Sequence, residues 1–148
     1  MHQVIGCRCF ILLFLVWFIP SLSKGFSGGP AETVSQQQVD RLTKQADQLL
    51  SSHPDSAFVL SNNALMLSGR LGYVQGTAYS HQLIGRLLYH QGMYNQSLSN
   101  LLQAEKLYLD LQEERWMGEN LNYQGLVYYA LRQQDLALRH HQEALQHY

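Results

Sequence analysis

An internal repeat with a period of about 40 residues is the feature that most constrains the fold of this chain. Small residues recur at that period, and large apolar residues recur in the same order. The aligned sets are Ala64, Ala104 and Ala144; Gly85 and Gly125; Tyr89 and Tyr129; Leu98 and Leu138; and Tyr108 and Tyr148. Such a chain is expected to stack similar units, because one unit cannot bury its apolar face alone.

Apolar residues within each unit follow the period of an α-helix. In the middle unit they are spaced by three and four residues, which places them on one stripe of a helix. The stripe comprises Tyr94, Ser97, Leu101, Ala104, Tyr108 and Leu111. The sequence therefore predicts an all-α fold of three antiparallel hairpins. The six predicted helices lie at roughly 35–51, 54–71, 74–91, 94–111, 114–131 and 134–148.

Small residues recur where two helix backbones would lie close together. Paired helices lie about 8–10 Å apart, and a glycine inside a helix costs about 1 kcal/mol relative to alanine, so its recurrence indicates a packing role. We expect Gly85 to lie against Ser97 or Ala104, and Gly125 against Ala137 or Ala144. The predicted packing residues are Gly85, Ser97, Ala104, Gly125, Ala137 and Ala144.

This pattern resembles the tetratricopeptide repeat (TPR), a helical hairpin with a glycine in its first helix and small residues in its second. The matching residues are Gly85, Leu88, Ser97 and Ala104 in the middle unit, and Gly125, Tyr128, Ala137 and Ala144 in the last. The resemblance implies a right-handed solenoid with repeats at roughly 35–73, 74–113 and 114–148. The usual TPR is shorter, at about 34 residues. The longer form found in this chain is similar to exported sensory regions of bacterial signalling proteins.

Residues 1–23 have the pattern of a secretory signal peptide. Arg8 is followed by an apolar run from Cys9 to Ile19 and by small residues that end at Ser23, as in cleavable signals. We predict export, to the periplasm or the medium, with cleavage after Ser23; the alternative is an uncleaved membrane anchor. Residues 24–34 are rich in glycine and are expected to be a flexible lead-in.

Both cysteines, Cys7 and Cys9, lie inside the predicted signal peptide. The exported chain would then contain no cysteine, which excludes disulfides, thiol nucleophiles and cysteine metal sites. We therefore expect packing alone to stabilise the repeat domain, residues 35–148.

Composition and motifs exclude several classes of function. The formal net charge is −1 and 14% of residues are charged, so there is no basic surface to bind a polyphosphate. We expect no nucleic-acid partner and, after signal cleavage, no membrane contact. The sequence has no pattern typical of a nucleophile elbow, a phosphate-binding loop or a catalytic triad. It therefore predicts a protein that is not an enzyme, with no catalytic residues and no cofactor.

Histidines near the last residue suggest an alternative, a metal-binding or metal-dependent activity. His140 and His147 are seven residues apart on one predicted helix face, with Glu143 between them and His141 adjacent. This spacing differs from the H-E-x-x-H pattern of zinc proteases. A solvated helix face accounts for the same residues, so no metal site is predicted.

The TPR resemblance implies a concave groove lined by the first helix of each hairpin. Tyrosine and arginine there suit a protein interface, although the tyrosines would also fit between hairpins. We predict a protein–protein interaction scaffold or sensory module that binds a protein or peptide in this groove. The implied partner-binding residues are Tyr79, Gln82, Arg86, Tyr89, His90, Glu119, Asn122 and Tyr129.

The last predicted helix bears three leucines that no polar capping helix is expected to cover. Leu136, Leu138 and Leu145 are therefore expected to be exposed, whereas the terminal repeat of a solenoid normally carries a polar cap. Two alternatives follow: the chain self-associates through this uncapped C-terminal helix, or it is part of a larger exported TPR signalling protein.

Overall fold

The computed structural model describes residues 30–147, with side chains from residue 35 onward. Six α-helices and a short 3₁₀ helix follow one another in this part of the chain, and it contains no β-strand. They are α1 (Pro30–Leu49), α2 (Pro54–Leu71), α3 (Val74–His90), α4 (Tyr94–Leu111), α5 (Glu114–Ala130), α6 (Gln134–Ala144) and the 3₁₀ helix Leu145–His147. The predicted signal peptide (1–23), its cleavage site and residues 24–29 of the lead-in lie outside the described residues.

Helix α1 begins five residues earlier than predicted. Residues 30–34, expected to be part of a flexible lead-in, form its first turn. Pro30 suits this position because the first turn of a helix does not use the N–H that proline lacks. At the other end, α6 ends at Ala144 and the 3₁₀ helix replaces its predicted last turn. No helix within residues 30–147 is both long enough and apolar enough to cross a membrane.

Four of the connections between helices contain a residue in the left-handed backbone region. Gly72 and Gly92 have φ values of 63° and 75°, and the non-glycine residues Gln112 and Arg132 have φ values of 56° and 62°. Arg132 occupies the repeat position that Gly92 has in the middle unit and adopts the same conformation. A side chain in this region costs roughly 1–2 kcal/mol, so the last hairpin turn carries backbone strain that the preceding one avoids.

The helices pair in sequence order and the hairpins stack. Helices α1 and α2, α3 and α4, and α5 and α6 form the hairpins, and α2–α3 and α4–α5 contacts join them. The first helices also touch each other, α1 with α3 and α3 with α5, whereas α2, α4 and α6 do not contact one another within the described residues. The first helices therefore lie on the inner, concave side of the stack.

Two apolar clusters fill the spaces between hairpins. The first joins hairpins one and two and comprises Ala46, Leu50, Ala57, Leu83 and Leu87. The second joins hairpins two and three and comprises Ala78, Ala104, Tyr108, Met117, Leu121 and Ala144. The small residues predicted as packing positions are buried within or beside these clusters. The core is thus a series of interfaces between hairpins, as expected for a solenoid.

The two glycines predicted as packing residues, Gly85 and Gly125, differ in what they face. A Cβ atom on Gly85 would lie 2.7 Å from Leu101 Cγ and 3.3 Å from the Ser97 carbonyl oxygen. The Ser97 hydroxyl also donates to the Gly85 carbonyl at 2.7 Å, so Gly85 lies against Ser97 as predicted.

Gly125 has a polar side chain over it in the last hairpin. Its nearest neighbour is the ring of His141, 2.7 Å from the position of an added Cβ. The reason is positional: His141 occupies the repeat position that Leu101 has in the middle hairpin. An imidazole thus fills the space over this glycine.

Candidate functional site

An ion network centred on Arg86 links the first helices of all three hairpins. Arg86 Nη1 lies 2.9 Å from Asp47 Oδ1 on α1 and 3.1 Å from Glu119 Oε1 on α5. The guanidinium also lies over the Tyr123 ring, 5.0 Å from its centroid. Only 14% of the Arg86 side chain is exposed. One guanidinium therefore holds two carboxylates, which leaves the network with an excess negative charge.

Arg86 remains protonated in this position. Burial alone would lower the pKa of the guanidinium, but the Tyr123 phenol, Glu119 and Asp47 together raise it. Nη1 holds both carboxylates, and Nε is buried with no hydrogen-bond partner among the described residues. The two ion pairs of Nη1 fix the positions of the three first helices relative to one another.

A cavity of about 420 Å³ lies beside the network, between α1 and α3. We call it the inner cavity. The rings of Tyr79 and Trp116 contact each other in its wall, with centroids 4.8 Å apart. Its lining residues are Asp40, Thr43, Lys44, Asp47, Tyr73, Gln75, Gly76, Tyr79, Tyr108 and Trp116.

Two phenols in this lining lie close to carboxylates. The Tyr73 hydroxyl donates to Asp40 Oδ1 at 3.0 Å, and burial together with that bond and the charge of Asp40 raises the pKa of Tyr73 to about 12. Burial and the charges of Asp47 and Glu119, only partly offset by Arg86, raise the pKa of Tyr79 to about 12 as well. Burial is the largest cause of both shifts, and the charges of the neighbouring carboxylates add to it.

The structure brings most of the predicted groove residues together on the inner side. Tyr79 lines the inner cavity, and Arg86 and Glu119 form the ion network beside it. Tyr89 is half-buried, and its ring centroid lies 6.2 Å from that of Tyr123. The exposed His90 contacts Tyr89, with ring centroids 5.3 Å apart. These five predicted residues form one continuous surface.

Three predicted groove residues have other positions. Gln82 is completely buried, and its Oε1 accepts a hydrogen bond from Tyr108 at 2.6 Å, so it cannot contact a partner. Asn122 Oδ1 lies 3.0 Å from His141 Nδ1, between the two helices of the last hairpin. Tyr129 is 67% exposed, and the ring on α5 that neighbours Tyr89 is that of Tyr123. Gln82 and Asn122 differ because each bonds to the second helix of its own hairpin, away from the groove.

Sequence reasoning missed several residues of this surface. Asp40 and Asp47 are seven residues apart on α1, and Trp116 and Tyr123 lie three before and four after Glu119 on α5. Those spacings place each set on one helix face, so helical periodicity could have found them. The fifth, Tyr73, precedes α3 in a turn and has no such signal.

The three histidines considered for metal binding have different neighbours. His140 stacks on Tyr128 with ring centroids 4.9 Å apart, His141 contacts Asn122, and His147 lines a different cavity beside Met117. Across residues 30–147, no three side chains of the His, Cys, Asp and Glu types are placed to share a metal ion. The metal alternative therefore has no geometric support in the described chain.

Comparison with known proteins establishes the fold. No protein-family model matches the sequence, and no curated protein matches it at a significant level. Among solved structures, the crystal structure of the TPR domain of Arabidopsis FLU is similar, with a TM-score of 0.68 and 17% sequence identity over 75% of this chain and 94% of that one. At this identity the likeness concerns the fold alone. The chain has a TPR-like fold: three helical hairpins stacked as an all-α solenoid.

Proposed function

We propose that this protein is a non-enzymatic interaction scaffold that binds an extended polypeptide along the inner surface formed by α1, α3 and α5. The observation that carries the proposal is the inner cavity, an aromatic-walled space of about 420 Å³ next to the ion network. That volume lies in the range of ligand-binding pockets, roughly 300–1,000 Å³. Aromatic side chains such as Tyr79 and Trp116 are the groups that protein interfaces concentrate.

The rigidity of the surface supports the same proposal. Arg86 joins α1, α3 and α5 through Asp47 and Glu119, and Tyr79 is held against Trp116. Ordering side chains at an interface costs about 0.5–1.5 kcal/mol each. A surface whose side chains are already held loses less free energy when a partner binds.

We further propose where this scaffold acts and in what role. The pattern of residues 1–23 supports an exported protein, periplasmic or secreted, cleaved after Ser23. The long repeat period, similar to that of exported sensory TPR regions, supports a sensory role. Binding of a polypeptide by the inner surface would then be the input of that sensor.

Self-association through the last hairpin is a second candidate, favoured by one observation. Leu138 and Leu145 are 60% and 74% exposed, whereas Leu136, also expected to be exposed, is half-buried. Exposed leucines gain free energy when a second surface covers them. Light scattering at increasing protein concentration tests this directly, with the Leu138→Gln, Leu145→Gln double variant for comparison. A wild-type protein that stays monomeric at the highest concentration rejects it.

Selection of peptides on the full chain tests the main proposal. Peptides from a random displayed library are selected for binding, and their affinities are measured by fluorescence anisotropy. Gln75→Trp would place a large side chain at the exposed rim of the inner cavity. We expect it to weaken binding by roughly tenfold, the cost of losing about 1.4 kcal/mol of contacts.

The matched control is Gln103→Trp, which makes the same change at an exposed position on α4, outside the concave side. It should leave the affinity of the same peptides unchanged. Peptides that bind both variants as well as they bind the wild type would place the binding site elsewhere and reject the proposal.

A further inference from the structure

We infer that the inner cavity recognises a cationic side chain, lysine or arginine, of the bound polypeptide. This inference rests on the proposed function and names the chemistry of the partner. Three features support it. The cavity has carboxylates that are only partly neutralised, its walls are aromatic, and the neighbouring Arg86 is already ion-paired with Asp47 and Glu119.

The carboxylates at the cavity are only partly neutralised. Asp40 has the Tyr73 hydroxyl as its partner, and within residues 35–147 no cation forms an ion pair with it. Asp47 and Glu119 share the single guanidinium of Arg86. A cation that enters the cavity would therefore meet carboxylate oxygens that still accept hydrogen bonds.

The charges around the cavity leave an excess of negative charge. We count the charged side chains that line the cavity, and the charged side chains that contact a lining residue or shift its pKa. Four are carboxylates and three are cations, an excess of one negative charge. They are Asp40, Asp47, Glu113 and Glu119 against Lys44, Arg86 and Arg115.

The aromatic walls favour the same ligand. Trp116, in the cavity wall, already has a guanidinium group over its ring, that of Arg115 at 5.2 Å. A cation over an aromatic face gains about 0.5–1 kcal/mol at an exposed site and more when water is excluded. Because Arg115 is exposed, its contact is of the weaker kind and can be exchanged for that of a ligand.

The two phenols of the lining are affected by the same carboxylates. Burial is the main cause of the raised pKa values of Tyr73 and Tyr79, about 12, and the charges of Asp40, Asp47 and Glu119 raise these values further. A partner's carboxylate or phosphate would encounter the same field. Arg86, the group that would otherwise attract an anion there, is already held by two carboxylates.

Four peptide libraries test the inference on the full chain. They are random except for one central residue, which is arginine, citrulline, lysine or acetyl-lysine, so that each cation has a neutral counterpart of similar shape. Retention on immobilised protein is compared within each pair. We expect the cationic library to be retained roughly tenfold better than its neutral counterpart, and the difference to shrink as salt is added.

A pair of variants assigns the preference to the cavity. Asp40→Asn removes the uncompensated carboxylate and should reduce the preference for cations by about threefold. Asp110→Asn makes the same change in net charge at an exposed position on α4 and should leave the preference unaltered. Circular dichroism of both variants checks that the helices are retained.

The outcomes separate the two proposals. Equal retention of the charged and neutral libraries, with measurable binding of both, overturns the cationic preference but leaves the interaction scaffold standing. A preference that Asp110→Asn and Asp40→Asn reduce equally reflects net charge rather than the cavity and also overturns it. If no library binds either the wild type or the Gln75→Trp variant, both the proposed function and this inference are overturned.

Discussion

At the scale of single residues, the core of the stack contains a hydrogen-bonded polar pair that the repeat pattern does not predict. Tyr108 and Gln82 are both completely buried, and the Tyr108 hydroxyl donates to Gln82 Oε1 at 2.6 Å. Burial is the main cause of the raised pKa of Tyr108, so the phenol stays neutral and remains a donor. The pair satisfies two groups that would be costly to bury alone.

Replacing Tyr108 by phenylalanine should lower the free energy of unfolding by about 1–3 kcal/mol, the cost of a buried acceptor without a donor. The Nε2 of Gln82 is buried without a hydrogen-bond partner, so loss of the Tyr108 hydroxyl would leave the whole amide unpaired. Urea unfolding followed by circular dichroism measures the change. Tyr129→Phe, on a side chain that is 67% exposed, should change stability by less than about 0.5 kcal/mol. Equal effects would show that the pair contributes nothing.

His140 should make stability depend on pH. Burial lowers the pKa of His140 below its usual 6.5, so the unfolded chain binds a proton at a higher pH than the folded chain. Its contribution is therefore complete above pH 6.5 and is lost as the pH falls through the lowered folded pKa. Thermal unfolding across this interval should show the loss. His140→Phe, which keeps a ring against Tyr128, should show less of it; a loss as large as that of the wild type would contradict the assignment.

At the scale of helices, the sequence was most informative where packing repeats. The bounds of α2 and α4 coincide with the predicted 54–71 and 94–111, because each is framed by turn residues and has a full apolar stripe. The start of α1 was missed, since residues 30–34 show no apolar period and only the preference of Pro30 for a first turn indicated a helix. The ring of His141 over Gly125 was not predicted, because only the small residues of the second helix were considered as neighbours of the glycine.

Gly85→Ala should destabilise the protein by about 1–3 kcal/mol, typical of an overpacked core. The added methyl would lie 2.7 Å from Leu101 Cγ and 3.3 Å from a backbone oxygen, and backbone cannot easily move. Gly69 provides the opposite case: it lies in α2 with nothing within 4 Å of an added Cβ. Gly69→Ala should therefore stabilise by up to about 1 kcal/mol through helix propensity. Chemical denaturation of both variants checks the difference in sign.

At the scale of the whole molecule, the contacts that build the inner surface could not be predicted from the sequence. Arg86 was named as a groove residue, but its partner Asp47 lies far away in the sequence, on another hairpin. Which side chains meet across hairpins depends on the rotation between successive repeats. The repeat pattern predicts the small residues that recur between paired helices, such as Gly85 and Ser97, and leaves the single contacts between first helices undetermined.

Arg86→Met should destabilise the stack by about 1–3 kcal/mol, less than a fully buried ion pair would, because Asp47 and Glu119 are 40% and 31% exposed. The loss would come from two neighbouring carboxylates left without their cation. Adding Asp47→Asn and Glu119→Gln removes that repulsion and should restore most of the stability, as measured by thermal unfolding. If the triple variant is no more stable than Arg86→Met, repulsion between the carboxylates is not the cause.

The shared guanidinium also has a mechanical consequence. The curvature of a solenoid is set by small rotations between neighbouring units. Arg86 connects all three units on the inner side through its two ion pairs. Straightening the solenoid would separate Asp47 from Glu119 and break at least one of these pairs. Salt screens partly buried pairs less than exposed ones. Since Asp47 and Glu119 are 40% and 31% exposed, we expect a small increase of the radius of curvature with ionic strength, which small-angle X-ray scattering can follow.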